Sequence, residues 1–116
     1  MNIFAYAASE EKMFENIMRE NGYERKTTFY SDLSIAEVYG KSAIVDTYNR
    51  VVDSWGNNRV YFTEFVMCLN YKSWEFDAKG NTELTELYVD LYYKADEIAR
   101  NTFKGEDLEY YYNTTD

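Results

Sequence analysis

The chain contains no histidine and no proline, a single cysteine, and only five glycines in 116 residues. Without imidazole, a Ser-His-Asp or Cys-His nucleophile, a zinc finger and a Glu-x-x-His di-iron bundle lose their general base or ligand. The sequence is read as lacking glycine-rich phosphate loops as well, since no Gly-x-Gly occurs. The lack of proline and scarcity of glycine leave few forced breaks, so long regular segments are expected. Cys68 alone makes no internal disulfide, which suits a reducing, cytoplasmic compartment. Between Met67 and Leu69 it reads as a core filler, with nothing nearby to lower its pKa. No run is long enough to span a membrane, and Met1 to Ala8 lack the basic start of an export signal, so the Asn113-Thr114-Thr115 sequon reads as incidental.

What the chain does have is aromatic residues and acid. Its 22 aromatics include 13 tyrosines, more than a core of this size absorbs, so some are expected at the surface. Net charge is −9 and uneven: four basic residues face seven acidic ones over 1–40, four face four over 41–75, and four face ten over 76–116. Such a field opposes direct binding to nucleic acid or an anionic membrane and favours attraction to basic surfaces on other proteins.

The organising stretch runs from Thr82 to Lys104. At 100° per residue Leu84, Leu87, Tyr88, Leu91, Tyr92, Ala95, Ile98, Ala99 and Phe103 fall within about 160°. Glu83, Glu86, Asp90, Lys94, Glu97 and Asn101 take the opposite side, with Asp90 placed to pair with Lys94. Thr82 is the expected N-cap and Gly105 the stop. Asp77 to Asn81 form a turn after a central helix over about 63–76, whose Phe62, Phe65, Val66, Leu69, Ser73 and Phe76 share an arc. Val60 to Thr63 alone suits a strand or a helix. A helix over about 42–55 buries Ala43, Ile44, Thr47, Tyr48, Val51, Val52 and Trp55, and a shorter one capped by Ser31 or Asp32 ends at Tyr39-Gly40. Upstream, residues 23–30 read as a loop or brief extended piece, 9–21 as a first helix, and 1–8 as either its lead-in or an extended arm. Glu106 to Tyr112 predict a last short helix before a polar tail. The expected fold is all-α, a single-domain bundle of four to six helices over 1–116.

Two functional directions follow from the carboxylates. Glu83-x-x-Glu86, Asp90 and Glu106-x-x-Glu109 resemble the paired acidic motifs of the all-α, MazG-like nucleotide pyrophosphohydrolases, and that resemblance implies Mg²⁺ and nucleotide hydrolysis. Magnesium needs oxygens converging from two helices, whereas the first pair points away from the apolar arc beside Lys94. The preferred reading is therefore a binding protein with no cofactor and no metal. Its contact residues are Glu83, Glu86, Asp90, Tyr93 and Glu97, followed by Asp107, Glu109, Tyr110, Tyr111 and Tyr112. Tyrosine offers large contact area at small entropic cost, and carboxylates meet arginine in bidentate pairs. In size, acidity and this Glu/Asp/Tyr surface the chain resembles small phage and mobile-element accessory proteins, among them the anti-CRISPR inhibitors. That resemblance of type implies a stoichiometric, non-enzymatic inhibitor in the host cytoplasm whose partner is a host protein such as a CRISPR-associated nuclease. A third reading is a self-associating protein whose surplus aromatics form a homodimer interface.

Overall fold

The computed structural model describes residues 29–55 and 57–115. The helix expected over 9–21, the segment 1–8 and most of the loop expected over 23–30 lie outside the described residues. Five helices follow in order: α1 (Phe29–Tyr39), α2 (Lys41–Ser54), α3 (Arg59–Ala78), α4 (Thr82–Thr102) and α5 (Glu106–Thr115). Among the described residues there is no strand, so the all-α bundle is the observed architecture. No helix among them is long and apolar enough to cross a membrane.

Helix α3 is the central element, with Phe62, Phe65, Val66 and Leu69 each fully buried. It runs antiparallel to α4. Near the connecting turn Phe76 stacks on Tyr88 with ring centroids 5.8 Å apart, while at the far end Phe62 and Phe103 sandwich Trp55, at 4.2 and 5.5 Å from its ring. The turn is only three residues long, which forces this neighbour relation. An unbroken series of rings then ties the helices together: Tyr111 of α5 meets Phe103, Trp55 joins Phe103 to Phe62, and Phe62 leads through Phe65 to Phe29 of α1. Tilted and edge-on ring pairs contribute about 0.5–1.5 kcal/mol each beyond the area they bury.

The apolar arc of α4 is buried as its periodicity predicts. Tyr88, Leu91, Ala95, Ala99 and Phe103 are inside, and Leu84, Leu87, Tyr92 and Ile98 pack half-buried against them. In α2 the expected face is likewise inward, and Cys68 is fully buried in α3.

Four local boundaries differ from the sequence reading. Phe29 and Tyr30 are helical, not extended, and both are buried; core contact outweighs their β preference. Ser31 and Asp32 therefore sit inside the first turn of α1 instead of capping it. Helix α3 starts at Arg59 because the Asn58 side chain, on extended backbone, accepts the Tyr61 N–H at 3.0 Å, which makes Val60 to Thr63 helical. The N-cap of α4 is Asn81 and not Thr82, with Asn81 Oδ1 accepting from Leu84 N at 3.1 Å. Finally α5 continues to Thr115, where the Thr114 and Thr115 hydroxyls donate back to the carbonyls of Tyr110 and Tyr111.

Candidate functional site

The solvent side of α4 carries the residues that periodicity places there. Glu86, Asp90, Tyr93 and Glu97 follow one another at helical spacing and are exposed, Tyr93 by 63 %. From Glu86 to Glu97 the stripe is about 16 Å long. Asp90 pairs with Lys94 at 3.0 Å as expected, and Glu83 reaches Lys41 of α2 at 3.2 Å. All four of these side chains are more than half open to water. Such exposed pairs contribute about 0–1 kcal/mol, so an incoming cation displaces them readily. Glu86 and Glu97 form no ion pair among the described residues.

Helix α5 divides its expected contact residues between surface and interior. Glu109 is exposed. Asp107 pairs with Arg59 of α3 at 3.1 Å, and the same guanidinium lies over the Tyr110 ring at 4.8 Å. Arg100 covers the half-buried Tyr112 ring at 4.9 Å and donates to Asp96 at 2.8 Å. Tyr111 is a correction: it is fully buried, its ring packs on Phe103, and its hydroxyl donates to Asp96 Oδ1, so it belongs to the core and not to a docking face. Burial first and the Asp96 bond second push its pKa up. Three consecutive tyrosines look alike in sequence; Tyr111 and Tyr112 both share a helix face with Leu108, and it is contact with Asp96 of α4 and with Phe103 at its end that singles out Tyr111.

Sequence reading missed a buried polar centre between α1, α3 and α4. Lys72, 1 % exposed, donates to Ser34 Oγ at 2.7 Å and lies 3.1 Å from Glu37 and 3.4 Å from Glu75. Tyr88 donates to Glu37 at 2.5 Å and Tyr30 to Glu75 at 2.7 Å, while the Lys72 ammonium stands 3.9 Å from the centre of the Tyr30 ring. Burial lowers the Lys72 pKa, against the opposing pull of Glu37. For Tyr88 burial and Glu37 act together and raise it. The signal was present: Lys72 follows Leu69 by three and precedes Phe76 by four, and Glu37 follows Leu33 by four, so each sits beside the apolar side of its helix.

These arrangements bear on the chemistry open to the chain. Among the described residues no group of three or more Asp, Glu, Cys or His side chains is placed to hold a metal ion. Glu83 and Glu86 face solvent and Lys41, not a second acidic helix. The sequence does contain Gly40-Lys41-Ser42, the closing residues of a phosphate-loop signature, contrary to the reading that glycine-rich loops are wholly lacking. Ile35 occupies the position of the signature's first glycine, the tripeptide joins two helices where the loop needs a strand before it, and Lys41 is engaged by Glu83.

No family model, no curated protein and no solved structure matches this chain.

Proposed function

We propose that this is a non-enzymatic binding protein whose acidic, tyrosine-bearing α4 face docks on a basic nucleic-acid-handling surface of a host protein, as an anti-defence inhibitor of the anti-CRISPR type does. The supporting observation is the stripe Glu86, Asp90, Tyr93 and Glu97: carboxylates without buried partners flank a tyrosine ring that the fold leaves 63 % exposed. Val89, also partly exposed, extends the apolar area beside that ring. The ring supplies a desolvated anchor and the carboxylates supply attraction and orientation. Glu83, Asp107 and Glu109 enlarge the field from its margins, with Tyr110 and Tyr112 held under arginines. The action is occupancy: a cationic groove filled by this face no longer admits a phosphate backbone.

The deciding measurement is DNA binding by a purified CRISPR effector complex with and without the chain. Displacement of DNA is expected, with association at least tenfold slower for the charge-reversed E86K/D90K/E97K variant and a similar loss for the wild type in raised salt. Inhibition untouched by the triple reversal, or Mg²⁺-dependent hydrolysis of nucleoside triphosphates by the chain, would refute the proposal.

A further inference from the structure

Helix α1 is apolar on two opposite sides. Phe29, Tyr30, Leu33 and Ala36 enter the core, whereas Ile35, Val38 and Tyr39 are 60 %, 83 % and 80 % exposed. Positions 35, 38 and 39 follow i, i+3, i+4 spacing and form one stripe. A helix apolar on both sides ordinarily has neighbours on both. The stripe leads into an open groove of about 880 Å³ between α1 and α2, to which Ile35 and Tyr39 contribute from one wall. Buried Ala36 and Val51 form its floor, and exposed Asp32, Asp46 and Asp53 its rim. Arg50 is the one cation among the described residues lining it, and it donates to Thr47 Oγ1 at 3.1 Å. Asp46 and Asp53 form no ion pair among the described residues.

We propose that the α1–α2 groove receives a cationic amphipathic helix of another protein. Its apolar residues would seat on Ile35, Val38 and Tyr39, and its lysines or arginines would meet Asp46 and Asp53. Three features select this occupant. Val38, the most exposed of the three, lies outside the groove, so the apolar area extends past what a small molecule in the cavity covers. The i, i+3, i+4 spacing of the stripe makes the kind of ridge against which a second helix packs. The acidic rim calls for positive charge, which a second copy of a chain with net charge −9 supplies poorly. This surface uses none of the α4 residues, so it stands or falls separately from the docking face described above.

The probe is a fluorescent leucine–lysine peptide of about 14 residues with helical periodicity, about 21 Å long, titrated by anisotropy with the full chain. Ile35→Asp with Val38→Asp is expected to weaken binding at least tenfold even though it makes the protein more negative. General charge attraction predicts the reverse. Asp46→Lys with Asp53→Lys is expected to weaken binding more than the E86K/D90K/E97K change on α4, although the latter removes more negative charge. All substituted side chains are exposed, and unchanged circular dichroism confirms that each variant folds. Unchanged or tighter peptide binding by the Ile35→Asp/Val38→Asp variant overturns the proposal. So does a dimer of the full chain that this variant dissolves, or crosslinking of the stripe to residues of the same chain.

Discussion

The Lys72 ammonium stands 3.1 Å from Glu37 Oε2, with 1 % of one side chain and 15 % of the other open to water. This pair joins α3 to α1 and is completed by Ser34, Glu75, Tyr30 and Tyr88. Removing one member of a buried pair leaves the other charge without compensation, at about 3–5 kcal/mol. Lys72→Met is therefore expected to lower the unfolding free energy by about that amount in urea titrations. Glu37→Gln keeps an oxygen for the Tyr88 hydroxyl and leaves Glu75 beside Lys72, so its expected cost is about 1–3 kcal/mol. Equal effects from the two changes would show that packing, and not charge, decides the stability of this centre.

Alkaline pH attacks the fold at its tyrosines, at Tyr88 and Tyr111 more than at Tyr48 and Tyr61. The pKa values of Tyr88 and Tyr111 are raised well above the ordinary phenol value near 10. Below that value both states hold the proton and the stabilisation is complete. Above it the unfolded chain releases the proton and the folded chain does not, so stability falls with rising pH, by about 1.4 kcal/mol per pH unit for each tyrosine. Lys72 acts in the opposite sense, because its pKa is lowered: it favours folding as pH rises toward the ordinary lysine value, and adds nothing further above about 10.5. Urea midpoints should hold or rise up to about pH 10, decline above it, and decline more steeply above about 10.5, where Lys72 no longer offsets the tyrosines. Tyr111→Phe should flatten that decline; an unaltered slope would contradict it.

The start of α4 distinguishes two adjacent residues of capping type, Asn81 and Thr82. Asn81 accepts the Leu84 N–H through its side chain and the Thr85 hydroxyl through its carbonyl. Asn81→Ala is expected to cost about 1 kcal/mol, within the usual range for a lost cap. Thr82→Ala should stay within about 0.5 kcal/mol of the wild type. Thermal unfolding of the two variants side by side checks the order.

Gly40 joins α1 to α2 at φ 114° and ψ 178°, a backbone region that side chains with a Cβ avoid. An added Cβ would meet nothing within 4 Å, so the expected cost of Gly40→Ala, about 1–3 kcal/mol, is conformational and not steric. Helix content by circular dichroism should be unchanged while the urea midpoint falls. A neutral substitution would mean that the joint relaxes to ordinary backbone geometry.

The helical architecture was legible because α2 and α4 each place apolar residues at a period of 3.6 over three or more turns, and because the long α3 segment between them is apolar on several sides with no breaking residue. The solvent-facing side of α4 was legible for the same reason, since the positions left over from the buried arc must meet solvent. Short or weakly periodic segments were not. Phe29 and Tyr30 favour strands by composition, and their helical state comes from contact with Phe65 and Tyr71.

By itself, the order of residues along this chain determined that its described segments are helical, which side of α4 turns inward, and that histidine chemistry has no place in it. Only the packed structure decided which charges and phenols remain available. Glu37 and Lys72 are 35 positions apart and Glu37 and Tyr88 are 51 apart, so their meeting depends on how whole helices cross. Periodicity is a property of one helix, whereas an ion pair or a buried hydroxyl bond between helices depends on the relative position of two.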